Sequence, residues 1–376
     1  MAGHRPGAGA SIRQAHPGDD AVKVAPGARL GRIEREAVED QTLVPGATRA
    51  GPGTDQGRRL RHEEPDDLRT CFEQDRDRIL HSAAFRRLAG KTQVFIFPAD
   101  HQRTRLTHAL EVAQVAVAIA RACRLNVALT EAIALGHDCG HGPGGHASED
   151  AFSCFVPGFD HAVWGADVTA APLNLCVGTL DGIRNHSWSR PAPATPEGQV
   201  VGLADRVAYC AHDLEDAAAT GLVSPADLPP EVIECCGATR SVQLHSFITD
   251  ITSTISETGL IGMSEPMGDA LAALRRFNHE RIYLRPESVA QGQRVIAMLR
   301  SLVEHLAAHP AALASASGSA SASGSAGSPV EEDALLAAVA YVDGMTDRYA
   351  CSAAVSLLGW DPDRLPRGQD VGPQPS

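Results

Sequence analysis

The strongest constraint on how this chain can fold is a set of ionisable residues lodged inside apolar runs of helical period. They are His108, the adjacent pair His137-Asp138, and Asp205. Leu106 to Leu125 reads as helix: Leu106, Ala109, Leu110, Val112, Ala113, Ala116, Val117, Ile119 and Ala120 share its buried side, leaving Glu111, Gln114 and Arg121 toward solvent. His108 lies in its first turn. Glu131 to Asp138 reads as a short helix that is almost wholly apolar until it reaches His137-Asp138. A third helix begins near Gln199, with Val200, Val201, Leu203, Ala204, Val207, Ala208, Ala211 and Leu214 buried. Asp205, Tyr209, His212, Asp213 and Asp216 recur on it every three or four residues, as one polar stripe that reads as a cleft wall or a solvated face.

Ionisable groups at the end of a buried helix are costly unless something satisfies them. Taken singly, such a His reads as a hydrogen-bonded core residue and such an Asp as a cap or an exposed charge. Taken together, two imidazoles and two carboxylates from three helices are a suitable set for one divalent metal ion. A metal activates water and stabilises phosphate oxygens at neutral pH. Nitrogen and oxygen donors without thiolate suit Mn, Mg, Co or Fe as well as Zn.

Most of the remaining chain also reads helical: 73–88, 105–125, 129–137, 148–155, 173–185, 199–220, 241–257, 267–282, 289–308 and 331–358. Only Val94 to Phe97 has the character of a short strand. The expected fold class is therefore all-α, a multi-helix bundle. Residues 1–57 are rich in Gly, Pro, Ala and charge and are expected to lack stable order, with ordered structure beginning near Arg58. The core is expected over 58–310, an Ala/Ser/Gly linker over 311–330, a C-terminal helix over 331–360 and a disordered tail over 361–376.

Several ordered motifs carry a family resemblance. The run Arg103-Thr-Arg-Leu-Thr-His108-Ala-Leu-Glu-Val112 is followed by Gly136-His137-Asp138-Cys-Gly-His141-Gly-Pro-Gly-Gly-His146 and by Leu203-Ala-Asp205-Arg-Val-Ala-Tyr209. Gln74 to Phe95 precedes them, and Asp343-Gly-Met-Thr-Asp347-Arg-Tyr349 follows. Together they resemble the HD-domain deoxynucleotide triphosphohydrolases, the dGTPase and dGTPase-like proteins. The likeness is close over 57–216 and looser over 270–360.

The resemblance implies an HD-domain phosphohydrolase bundle that cleaves a dNTP into a deoxynucleoside and inorganic triphosphate. It implies one metal ion on His108, His137, Asp138 and Asp205, with His146 and Glu149 as catalytic residues. His141, grouped with these two, and His161 would face the phosphates. Arg105, Arg206 and Tyr209 would contact phosphate or sugar, and Asp213 would hold the deoxyribose hydroxyl. It also implies a homo-oligomer. Another nucleotide as substrate, or a nucleotide-binding regulator with little turnover, are the competing readings.

The residues themselves agree with part of this. His146 and Glu149 are three apart, so on a helix they would stack, and a carboxylate beside an imidazole sets its tautomer. The loop Gly142-Pro-Gly-Gly145 carries a high entropic cost of ordering.

Composition limits the partners. A formal net charge of −13 argues against a surface dominated by general nucleic-acid binding. A local basic patch over Arg76, Arg78, Arg86, Arg87, Arg103 and Arg105 suggests a triphosphate instead. Aromatic residues make up 4%, so the core is expected to be Ala, Leu, Val and Ile. The nine scattered Cys form no C-x-x-C pair, which points to the reducing cytoplasm, and Cys139 reads as a small buried residue facing away from the metal. Neither a signal peptide nor a membrane span is expected.

Overall fold

The computed structural model describes residues 24–51, 53–98, 102–317 and 330–368. The protein is all-α. Its helices are α1 (Arg32–Thr42), α2 (Cys71–His81), α3 (Ala83–Arg87), α4 (Arg105–Ala122), α5 (Val127–Gly136), α6 (His146–Phe152), α7 (His161–Trp164), α8 (Val177–Asn185), α9 (Pro196–Ala219), α10 (Pro230–Cys236), α11 (Arg240–Thr258), α12 (Glu265–Asn278), α13 (Pro286–Ala308), α14 (Pro310–Ser317), α15 (Val330–Asp343) and α16 (Asp347–Leu358). No described helix is long and apolar enough to cross a membrane.

Two hydrophobic cores organise these helices. The first is centred on α4, α5 and α9 and includes Val112, Ile119, Leu129, Ile133, Val200 and Val207. Helix α5 is nearly all apolar because it is enclosed, and its start is fixed by Asn126, whose side chain accepts from the Leu129 N–H at 3.1 Å. The second core joins α6, α13, α15 and α16 through Phe152, Leu299, Leu302, Val339 and Ala354. The segment between α5 and α8 lies where the two cores meet.

Polar ties fasten one core to the other. Lys91 is buried, and its ammonium donates to the backbone carbonyls of His141 and Asp343. Asp347, at the start of α16, accepts from Thr92 Oγ1 at 2.5 Å and from the Gly144 N–H at 2.9 Å.

The structure departs from the sequence expectations in several places. Order does not wait for Arg58: α1 forms at Arg32, and Ala47 and Ala50 join the first core. The reason is a buried carboxylate. Glu197 accepts from Thr48 N–H at 3.1 Å, Thr48 Oγ1 at 2.7 Å and Asn126 N–H at 2.9 Å, so this polar segment supplies donors that the core needs. Residues 1–23 lie outside the described residues.

Val94 to Phe97 forms no strand; only the isolated bridges Thr92–Thr104 and Arg59–Cys176 occur among the described residues, because no neighbouring strand pairs with it. The single C-terminal helix is two, broken at 344–346, with the Thr346 side chain capping α16. Part of the expected linker, 311–317, is helical as the continuation of α14 from Pro310, and 318–329 lie outside the described residues. Past Trp360 the chain still packs: the Arg294 guanidinium donates to the carbonyls of Asp363 and Leu365. Residues 369–376 lie outside the described residues.

Candidate functional site

The site is built at helix ends. His137 directly follows α5, and its Nδ1 lies 2.6 Å from the Ala134 carbonyl. A carbonyl can only accept, so the ring proton sits on Nδ1 and Nε2 carries the lone pair. That Nε2 is buried and has no hydrogen-bond partner; it faces Asp138 Oδ1 at 3.5 Å and Asp205 Oδ1 at 3.6 Å. One acceptor facing two carboxylate oxygens calls for a cation among them.

His108, from the first turn of α4, brings Nε2 to 3.1 Å from Asp205 Oδ1 and 3.8 Å from Asp138 Oδ2. The four expected residues thus converge from α4, the end of α5 and α9. Clusters of His and Asp here are able to coordinate a divalent metal ion. Thiolate is absent from the set: Cys139 is buried, its Sγ points toward the Leu135 carbonyl at 3.9 Å, and burial pushes its thiol up to about 12.

Charge sets the protonation. Burial alone would raise the Asp205 and Asp138 carboxyls. The hydrogen bond from His108 outweighs it at Asp205, and the Arg105 guanidinium does so at Asp138, so both stay well below the usual carboxylate range. Burial pushes His108 down, but its bond to Asp205 and the two carboxylates carry it up overall.

The loop 139–145 and α6 and α7 add a second group. Gly140 lets the chain double back, since a Cβ there would lie 2.2 Å from the His161 carbonyl oxygen. His141 stacks on His161, with ring centroids 3.7 Å apart, and its Nε2 is 3.3 Å from Asp138 Oδ1. Burial, then Arg105 and His161, hold His141 well below the usual imidazole range.

His146 is the first residue of α6, and its side chain is 74% exposed at the mouth of the cavity. Its Nδ1 is 3.6 Å from Glu149 Oε2. The sequence pairs Glu149 with His146, three residues before it. Glu149 instead makes its tightest contact to His161 Nδ1, and also accepts from the His161 N–H at 3.3 Å, because Asp160 starts α7 directly beside it. Burial raises Glu149, but hydrogen bonds to His146 and His161 outweigh it and keep it ionised.

A cavity of about 500 Å³ lies over these groups, lined by Arg105, His141, His146, His161, Asp205, Arg206, Tyr209 and Asp213. Arg105 donates to Asp138 Oδ2 at 2.6 Å. The Arg206 guanidinium lies over the Trp188 ring at 3.6 Å, a cation–π contact. Asp213 accepts from the Tyr283 hydroxyl at 2.5 Å; burial pushes the Asp213 carboxyl up to about 7 against that bond.

The polar stripe of α9 divides. Asp205, Tyr209 and Asp213 face the cavity, whereas Asp216 pairs with Arg103 at 2.5 Å and His212 is buried beside Glu111. Much of the expected basic patch is paired with acids, including Arg105 with Asp138. Arg103 is held by Glu111, Glu215 and Asp216, Arg76 by Asp77, and Arg78 by Glu63. Glu215 and Asp216 reach Arg103 from more than a hundred residues away, a pairing that no local count of charge reveals.

Sequence reasoning missed two residues. His186 directly follows α8 and is buried, with Nδ1 2.8 Å from the Ile183 carbonyl and its ring 4.9 Å from that of His137. Burial, then His137 and His161, push it down to about 4. The available signal was the repeat of the His137 arrangement, an imidazole just past a helix end. Tyr283 lies in a widened turn after α12 and carried no signal at all.

Residues 105–210 match the model of the HD domain, and residues 261–355 match that of the phosphohydrolase-associated domain. A deoxyguanosinetriphosphate triphosphohydrolase-like protein of Caldanaerobacter subterraneus is 38% identical over 300 residues, covering 78% of this chain and 86% of the relative. One from Clostridium perfringens is 43% identical over 264 residues, covering 66% and 77%. One from Syntrophus aciditrophicus is 35% identical over 378 residues, covering 84% and 93%.

Proposed function

The chain belongs to the HD-domain family of dGTPase-like phosphohydrolases, and we propose that it hydrolyses a deoxynucleoside triphosphate to the deoxynucleoside and inorganic triphosphate. The observation that carries this reading is the cavity itself. Its floor offers imidazole and carboxylate donors, and its walls offer Arg105, Arg206 and the Asp213–Tyr283 pair.

One divalent ion would be held by His108, His137, Asp138 and Asp205, supplying Lewis acidity and a more acidic bound water. The buried, unpartnered Nε2 of His137 supports that assignment. The chain's own residues take the other roles. Arg105, His141 and His161 line the cavity where phosphate charge would sit, and Arg206 and Tyr209 lie beside them. Asp213, joined to Tyr283, is suited to accept from a sugar hydroxyl.

In the reaction, water adds to the α-phosphorus and the bond from phosphorus to the 5′ oxygen breaks. Triphosphate keeps the water oxygen, and the 5′ oxygen takes a proton. His146, exposed at the mouth with Glu149 beside it, is assigned as the group that moves this proton. The family resemblance also supports a homo-oligomer, which sedimentation velocity tests.

Incubation with each dNTP and NTP in the presence of Mn, Mg or Co, followed by anion-exchange separation, tests the reading. Inorganic triphosphate with free deoxynucleoside is expected. Orthophosphate or a nucleoside monophosphate as the product would replace it with another phosphohydrolase activity.

A further inference from the structure

We propose that Cys71 and Cys176 are a redox pair, which a peroxide closes into a disulfide tying α2 to α8. The pair lies apart from the metal centre and does not depend on the hydrolase reading.

Two helix starts meet here. Cys71 is the first residue of α2, and Cys176 is the N-cap of α8. The segment 56–59 lies beside both. The Val177 N–H donates to the Arg58 carbonyl at 2.8 Å and the Gly178 N–H to the Gln56 carbonyl at 2.9 Å, so Arg59 bridges to Cys176. The Arg59 guanidinium in turn donates to the Cys71 carbonyl at 3.0 Å and to Asp75 Oδ1 at 2.6 Å. Asp75 stands one turn after Cys71 on the same face of α2. Its other oxygen accepts from the Cys176 N–H at 2.8 Å and from Thr179 Oγ1 at 2.6 Å. That face of α2 is therefore held against the start of α8.

The thiols themselves converge on Gly57. Cys176 Sγ is 3.4 Å from the Gly57 carbonyl oxygen, and a Cβ at Gly57 would lie 3.2 Å from Cys71 Sγ. The two thiols are hydrogen-bond partners. Converging sulfurs meet the first geometric requirement of a disulfide.

The two sulfurs are not equivalent. Cys71 is half-buried and lines a cavity of about 320 Å³ between α1, α2 and the segment 57–66, whereas Cys176 is fully buried. A small oxidant therefore meets Cys71 first. A thiolate is favoured at a helix start and beside a guanidinium. The bond with Cys176, then the Gly51 N–H and the charge of Arg59, hold the Cys71 thiol below its ordinary range against burial. The same bond and then burial push Cys176 up. Cys71 is the attacking sulfur and Cys176 the resolving one.

With hydrogen peroxide the Cys71 thiolate attacks one oxygen. The S–O bond forms, the O–O bond breaks, and the departing hydroxide takes up a proton as the first water. The Cys176 sulfur then bonds to the Cys71 sulfur, and the sulfenic oxygen leaves with the Cys176 proton as the second water. The two thiols together lose two electrons and two protons, which the peroxide takes up.

The experiment treats the reduced, full-length protein with a small excess of hydrogen peroxide and blocks remaining thiols with N-ethylmaleimide. Digestion with trypsin and chymotrypsin without reduction precedes mass spectrometry. The peptides of Cys71 and Cys176 should appear joined, two hydrogens lighter than their sum, and separate again with dithiothreitol. Cys154 and Cys235 are exposed and should stay mainly alkylated at the same dose. In Cys176→Ser, Cys71 should stop at the sulfenic acid, which dimedone traps. In Cys71→Ser, Cys176 should remain a thiol. Where a variant does not fold, the wild-type digest decides by itself.

Cys71 and Cys176 both still alkylated, while Cys154 and Cys235 are oxidised, would overturn the proposal. A bridge from either to a third cysteine, or between two chains, would do the same. Dimedone on Cys176 in a folded Cys71→Ser protein would overturn the assignment of the attacking sulfur.

Discussion

His137 and His186 solve the same problem at the ends of two different helices. Each donates Nδ1–H to the carbonyl three residues back, at 2.6 and 2.8 Å, and so turns Nε2 inward. At His137 the apolar run before Gly136 made the ionisable pair conspicuous in the sequence. Before His186 comes Asp181-Gly-Ile-Arg-Asn185, which is polar enough to hide it. Its importance is set by the approach of α8 to α5, a tertiary fact. Two predictions belong to single residues. In Asp138→Ala the metal ion loses a ligand, and the protein, folded by circular dichroism, should lose bound metal and activity together. Undiminished metal in that variant would refute the ligand set. His146→Ala should keep its metal, because the imidazole is exposed and forms no part of that set. Its turnover should fall by roughly 10²- to 10⁴-fold, the usual contribution of a positioned proton-transfer group. Turnover at the parent rate would remove His146 from the reaction and leave proton transfer to His141 or His161.

Elements that bury a regular apolar stripe were legible, and elements ordered by polar contacts were not. Helices α4, α5 and α9 could be located from periodicity because they form the middle of the first core. Helix α1 could not, since it buries no residue and is held by ion pairs such as Arg35 with Glu73 at 2.7 Å. The loop 142–145 shows the same limit from the other side. Its glycines suggest a costly, loose turn, yet they are what lets it pack. Gly144 has φ +75°, and a Cβ there would lie 2.5 Å from Val295 Cγ1 on α13. The loop is further fixed by Asp347 and by Ser148 Oγ, which accepts from the Gly142 N–H at 3.1 Å and donates to the Gly145 carbonyl at 2.7 Å. Gly144→Ala should therefore destabilise the fold by at least about 1–2 kcal/mol from the left-handed backbone alone. Thermal melting checks this; adding Val295→Ala should recover only the steric part. A melting temperature unchanged by Gly144→Ala would mean that the loop is not held in this conformation.

At the scale of the whole molecule, the site straddles two cores. His108, His137, Asp138, His186 and Asp205 belong to helices of the first, while His146 and Glu149 ride on α6 of the second. The tie between the cores is titratable. Burial pushes Asp343 up to about 6, Lys91 opposes that shift, and burial likewise pushes Lys91 down. An acid whose folded pKa lies above its unfolded value of about 4 loses stability as pH rises between the two, because only the unfolded chain then releases its proton. Asp343→Asn should remove that slope. Urea melts should show the variant gaining on the parent from pH 4 to 6, by about 3 kcal/mol at most. A constant difference across that window would refute the assignment. The two-core arrangement makes a further prediction. Leu299 is fully buried in the second core, and Leu299→Ala should cost about 2–5 kcal/mol there. Because stability in a folded chain is local as well as global, the loss should open the second core before the first. Hydrogen exchange should then quicken in α6, α13, α15 and α16, with α4, α5 and α9 still protected and the metal still bound. Turnover should fall more steeply than metal content, since the proton-transfer group is on the loosened side. Uniform acceleration through all helices would show that the two cores unfold as one unit, and the division of labour between them would have no energetic basis.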